Sequence, residues 1–199
     1  MNVYVESNFV LELTLLQEEH ESCERILALS ERGRIQFIIP AYSFAEPNEP
    51  LGRRERDRKE LARQVENELS QLARSIPYKT ESTAFQEVVS LLRRIGSEER
   101  QRFAVIRDRL LQSAEVIPLD AAVLASAATC ERQFGLSPQD ALVFASIVQH
   151  LKENPAAACF LTLNSKDFDD IDLRKTLALY NCKLLFSFSD GYGYIQSQI

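Results

Sequence analysis

Histidine and glycine are scarce in this chain: two and six respectively in 199 residues, beside only four cysteines. No G-x-S-x-G occurs, and His20 and His150 fall in stretches that read as polar helix ends. A serine hydrolase, which needs that elbow and a histidine base, is excluded. No glycines cluster as G-x-G-x-x-G or a P-loop, so neither familiar phosphate cradle is available. Cys23, Cys130, Cys159 and Cys182 have no C-x-x-C spacing and lie in apolar-patterned segments. They read as reduced core residues, not as a disulfide framework or zinc site. No apolar run approaches the ~18–20 residues of a membrane helix, and the N-terminus has no charged-then-apolar leader pattern. The expectation is a cytoplasmic protein with no membrane partner. A net charge of −6 argues against a uniformly basic nucleic-acid binder while leaving room for a local basic patch.

What is present is an ordinary globular balance, 45% apolar and 26% charged, in a length that suits one domain with an elaboration. Val3 to Val5, Ile35 to Ile39, Val116 to Leu119, Ala158 to Thr162 and Lys183 to Phe186 read as strands. Between them lie helical patterns. Ser7 is expected to cap a helix to about Leu16, and Ser22 another to Leu29, with Gly33 as a left-handed stop. Tyr42 to Glu46 reads as a short helical turn closed by Pro47 and Pro50. Arg53 to Arg74 is a charged helix, and Phe85 to Leu92 and Phe103 to Leu111 are two more. The GRRERDRKELAR stretch is read chiefly as a solvated face with i,i+4 pairs, and secondarily as a phosphate-contacting arm. Asp120 caps a helix ending near Phe134 before Gly135, Ser137-Pro138 opens a deeply apolar one, and Leu173 to Leu179 is the last. Strands alternating with helices predict an α/β fold with a central parallel sheet covered on both faces.

Four segments end on, or open with, an acid or its amide. Glu6 closes the first strand, Glu46 lies one turn past the second, and Asp140 opens the buried helix. Asn164 follows the strand AACFLT, with Asp167 three residues on. In a parallel sheet the strand C-termini share one edge, so these side chains are candidates to converge in one crevice. Convergent carboxylates repel unless a cation sits among them, and Mg²⁺ or Mn²⁺ favours oxygen ligands. Metal-assisted phosphodiester hydrolysis is the chemistry that follows. Each residue also has a plainer use. Asp140 could complete a capping box with Ser137, Glu46 could be a surface acid, and Asn164 to Asp167 could be an Asn/Asp turn. Glu6 is harder to dismiss, because a buried strand end is a poor place for an unpaired charge.

The ordered set VESNFVLEL, IIPAYSFAEP, LSPQDALVFASIV and FLTLNSKDF resembles the PIN-domain family of metal-dependent nucleases, which includes toxin-type ribonucleases. The likeness covers roughly residues 1 to 50 and 116 to 190. It implies a three-layer α/β/α domain over residues 1–199 with a helical elaboration at about 51–114. It also implies a Mg²⁺- or Mn²⁺-dependent endoribonuclease acting on RNA. Carried over by position, Glu6, Glu46 and Asp140 are the metal-binding acids, and Asn164 takes the fourth catalytic position. Asn8 and Thr162 fall on supporting polar positions, and Asp167 is an extra carboxylate nearby. Glu6 stands where the family usually has Asp, and Asn164 removes one negative charge. The resemblance leaves open a toxin with an antitoxin partner, a stand-alone RNA-processing enzyme, and a homodimer. It also leaves open a degenerate module that binds RNA or protein without cutting. A haloacid-dehalogenase-like phosphatase would need Asp-x-Asp where this chain has Glu6-Ser7-Asn8. A receiver domain would need an acid pair in its first loop, which is missing.

Overall fold

The apolar runs do become strands: β1 (Asn2–Val5), β2 (Gln36–Pro40), β3 (Ala114–Ile117), β4 (Ala158–Leu161) and β5 (Cys182–Leu185). They form one five-stranded sheet in the order β3-β2-β1-β4-β5, every neighbouring pair parallel. Val3 to Val5 and all of β4 are fully buried, as near-continuous apolar strands covered on two faces must be. The computed structural model describes residues 1–78 and 85–199. They divide into two compact units, Met1–Pro47 with Val105–Ile199, and Asn48–Ala104.

In the first unit, helices α1 (Ser7–Leu15), α2 (His20–Glu31) and α3 (Ala41–Ala45) follow the first two strands. After β3 come α6 (Ala121–Phe134), α7 (Pro138–Glu153), the short α8 (Ser165–Phe168), α9 (Ile171–Ala178) and α10 (Phe188–Gln196). Tyr4, Ile38, Phe160 and Leu184 pack with Phe144, Ile147, Leu173 and Leu177 on one face of the sheet. Residues next in sequence point to the other face. There the Phe9 ring lies 5.0 Å from Phe37 and 5.3 Å from Phe188, centroid to centroid. All four cysteines are free, three of them buried. His150, read as a polar helix-end residue, is instead buried against β1. The Tyr4 hydroxyl meets its Nδ1 at 2.8 Å, and Glu115 Oε1 meets its Nε2 at 3.0 Å.

Several boundaries move. Glu6 rather than Ser7 caps α1, because Glu6 is the extended residue and its carboxylate accepts the Asn8 N–H. α2 starts at His20, before Ser22, and without a side-chain cap. Gly33 and Gly135 do adopt the left-handed conformation (φ 65° and 67°). α10 lies where no element was expected.

In the second unit, α4 (Asn48–Leu72) begins ahead of the expected Arg53, with Pro50 tolerated in its first turn. A 3₁₀ turn spans Ile76–Tyr78, and residues 79–84 of the expected elaboration lie outside the described residues. The two helices expected at 85–92 and 103–111 are one, α5 (Gln86–Ser113), whose residues up to Ala104 belong to this unit. Ala62, Leu69 and Val89 form its small core. Three cations of α4 are closely paired: Lys59 with Glu55 (2.6 Å), Arg63 with Glu60 (2.7 Å) and Arg58 with Glu99 (2.5 Å). Those pairs favour the solvated-face reading over the phosphate arm.

Candidate active site

From β1 the chain moves outward through β2 and β3, then returns to the opposite side of β1 for β4 and β5. Strand order therefore reverses between β1 and β4, and the loops beyond their C-terminal ends diverge to leave a crevice. Glu6 stands at the end of one strand and Thr162 at the end of the other. Thr162 Oγ1 donates to Glu6 Oε1 at 2.9 Å, closing the floor between them. The other oxygen, Oε2, accepts from Ser7 Oγ at 3.0 Å and from the Asn8 backbone N–H at 3.1 Å. Glu6 is only 6% exposed. Burial pushes its carboxyl above the usual range, the Asn8, Thr162 and Ser7 donors oppose that, and the nearby Glu46 charge adds to it.

Glu46 follows α3, which leaves β2 directly. Its backbone N–H bonds back to the Tyr42 carbonyl, so Tyr42 and Glu46 stand one helical turn apart. Burial raises the Tyr42 phenol's pKa, and the nearby charges of Glu46 and Asp140 add to it. Asp140 sits in the first turn of α7. Ser137 caps this helix by accepting the Asp140 N–H (3.2 Å) and donates its own hydroxyl to Asp140 Oδ2 (2.5 Å). The expected capping contact is thus present, and the same carboxylate also faces the crevice. Asn164 Nδ2 donates to Asp140 Oδ1 at 3.1 Å, and Asn164 N–H donates to Thr162 Oγ1 at 2.9 Å.

The result is a cleft of about 420 Å³ lined by Glu6, Asn8, Glu46, Asp140 and Asn164, with Gln139 at its side. Of the residues singled out from sequence, these five line the cleft and the buried Thr162 hydrogen-bonds Glu6 within it. Asp167, in α8, does not line it. Asn8 reaches Glu6 through its backbone N–H. Ser7 was read only as a helix cap and Ser137 only as a capping partner of Asp140, yet each hydroxyl donates to an acid of the cleft; Tyr42, beside Glu46, was not singled out. Spacing carries some signal for two of them. Tyr42 lies one helical turn before Glu46, and Ser137 three residues before Asp140.

A family model of the PIN domain matches residues 3–168. The chain belongs to the PIN-domain family. Neither a curated protein nor a solved structure matches it. PIN domains are generally nucleases and typically depend on a divalent cation. The cleft of this PIN domain is built from carboxylate, amide and hydroxyl oxygens, the donor set that hard cations such as Mg²⁺ and Mn²⁺ accept. By donor chemistry the residues fit such an ion. Among the described residues, however, no group of three or more His, Cys, Asp or Glu is gathered closely enough to hold a metal. Glu6 and Asp140 are engaged by hydroxyl and amide donors. Among the described residues, no helix is long and apolar enough to cross a membrane.

Proposed function

We propose that this PIN-domain protein is a Mg²⁺- or Mn²⁺-dependent endoribonuclease that hydrolyses RNA phosphodiester bonds. One observation carries the reading. Glu6, Glu46, Asp140 and Asn164, from four separate segments, line a single cleft at the carboxyl edge of a parallel sheet. In this reading Glu6, Glu46 and Asp140 hold the ion. When bound, the cation would supply an activated water and stabilise charge developing at phosphorus. The remaining residues orient the acids. Thr162 and Ser7 fix the two oxygens of Glu6, and Ser137 and Asn164 fix those of Asp140. The Asn48–Ala104 unit is the helical elaboration of this one domain. The proposal covers both a toxin restrained by an antitoxin and an RNA-processing enzyme.

The test is RNA cleavage with and without Mn²⁺, beside Asp140→Asn. Cleavage is expected only with the metal. The variant is expected to lose more than about 100-fold, since even the outer partners of metal ligands are worth roughly 10–100-fold. Cleavage without metal, or an unaffected variant, would sink the reading. A degenerate module that binds without cutting is favoured by one observation, the lack of a metal-ready cluster of acids among the described residues. Isothermal titration with Mn²⁺ separates the two, because binding abolished by Asp140→Asn counts against degeneracy.

A further inference from the structure

Asn164 occupies a joint between two of the three acids. Its backbone N–H donates to Thr162 Oγ1, and that hydroxyl in turn donates a hydrogen bond to Glu6 Oε1. Its side-chain Nδ2 donates to Asp140 Oδ1 at 3.1 Å. With a carboxylate oxygen at that distance, only the NH₂ end of the amide can face Asp140, because two acceptor oxygens would repel. Ser137 donates to the remaining oxygen of Asp140. Both Asp140 oxygens are thus held by neutral donors, and Asn164 brings no charge that a second cation would need to neutralise.

We propose that Asn164 is a positioning residue that fixes Asp140 by donation and limits the cleft to one divalent cation. The inference rests on the metal-binding reading of the site and adds the metal count and the part played by one side chain. An aspartate at position 164 would replace the donor by an acceptor and place two carboxylates about a hydrogen-bond length apart. Such a pair keeps its geometry only by sharing a proton or by taking up a further cation. An alanine there would leave Asp140 Oδ1 without its donor while adding no charge.

Mn²⁺ binding to the full-length protein tests this, read as stoichiometry and Kd by isothermal titration and by the loss of the free-Mn²⁺ electron paramagnetic resonance signal. Thermal unfolding of each variant in chelator serves as a folding control. The wild type is expected to bind one Mn²⁺. Asn164→Ala is expected to keep a count of one with Kd weakened roughly 10–100-fold, the usual cost of removing an outer partner of a metal ligand. Asn164→Asp is expected to bind two, and its unfolding temperature in chelator should fall at neutral pH and recover with Mn²⁺. Should Asn164→Ala fail to fold, Asn164→Ser, which keeps a shorter donor, provides the affinity comparison. Two ions on the wild type, an unchanged Kd in the alanine variant, or a count of one in the aspartate variant would each overturn the inference while leaving a metal site in place. No binding to the wild type would instead defeat the metal-binding reading itself.

Discussion

Thr162 shows how much of the cleft depends on a single hydroxyl. It is fully buried, donates to Glu6 Oε1 and accepts from Asn164 N–H, each at 2.9 Å. A valine has nearly the same shape and neither capacity. Thr162→Val strips one donor from a buried carboxylate and orphans a peptide N–H, so we expect a loss of roughly 2 kcal/mol or more. Thr162→Ser keeps the hydroxyl and should recover most of that, apart from the small void left by the methyl. Urea unfolding of both variants in chelator is the measurement. A valine variant as stable as the wild type would mean the two hydrogen bonds contribute nothing net. Glu6 carries the same logic at the adjoining position. Its neighbours were chosen by the fold to face a carboxylate, since three donors converge on two oxygens.

At the scale of elements, the two glycines of α10 make opposite demands. A Cβ on Gly191 would lie 2.7 Å from Leu161 Cδ2 and 2.9 Å from Cδ1, and Leu161 is fully buried in β4. A Cβ on Gly193 would meet nothing within 4 Å. Gly191→Ala should therefore destabilise by about 1–3 kcal/mol through overpacking, although alanine is the better helix former. Gly193→Ala should stabilise by about 0.5–1 kcal/mol through propensity alone. Thermal unfolding of the pair checks the sign, and like effects from both would refute the packing account. The same glycines explain why α10 escaped the sequence. FSDGYGYIQ reads as turn chemistry, and only the approach of Leu161 shows why the helix needs a glycine. α5 escaped as a single helix for a related reason. Gly96 punctuates it, yet its Cβ position lies 2.8 Å from Glu55 Cγ on α4, so the glycine serves helix contact instead of ending the helix. The strands were legible because parallel strands buried on both faces must be nearly continuous apolar runs, and β1 and β4 are. Glu6 was legible from its place at a strand end, Glu46 from its place one turn past β2, and Asp140 from its place in the first turn of the buried helix. Their hydroxyl partners Ser7 and Ser137 were less so, because one-dimensional spacing suggests a cap or a turn and not the direction of a side chain.

For the molecule as a whole, the net charge of −6 makes the placement of its carboxylates a question of pH-dependent stability. Two groups of acids act in opposite directions. Glu55, hydrogen-bonded by Lys59 and Arg100, is held below the usual range. Its contribution is present above the unfolded pKa and is lost as pH falls through the folded one. Glu12 is the reverse case. It is 6% exposed and accepts the Glu19 N–H at 2.9 Å. Burial pushes its carboxyl up, the Glu19 N–H opposes that, and the charges of Glu18 and Glu19 push further in the same direction. A raised folded pKa means that the native state holds the proton more tightly than the unfolded chain. The contribution of Glu12 is therefore complete below its ordinary value of 4.5 and is lost as pH rises from there through the folded value. Glu12→Gln keeps an oxygen for the Glu19 N–H and removes the titration. Relative to the wild type, the variant should gain stability as pH rises from about 4 to about 8, with little difference between the two at the acid end. Glu21→Gln removes the same charge from an exposed pair with Arg25 (3.6 Å), so it separates burial from the general self-repulsion of an acidic protein. Urea midpoints measured across that range in chelator decide the matter. Parallel curves for Glu12→Gln and the wild type would show that Glu12 titrates alike in the folded and unfolded chains. Equal gains in both variants would assign the effect to net charge and remove burial as its cause.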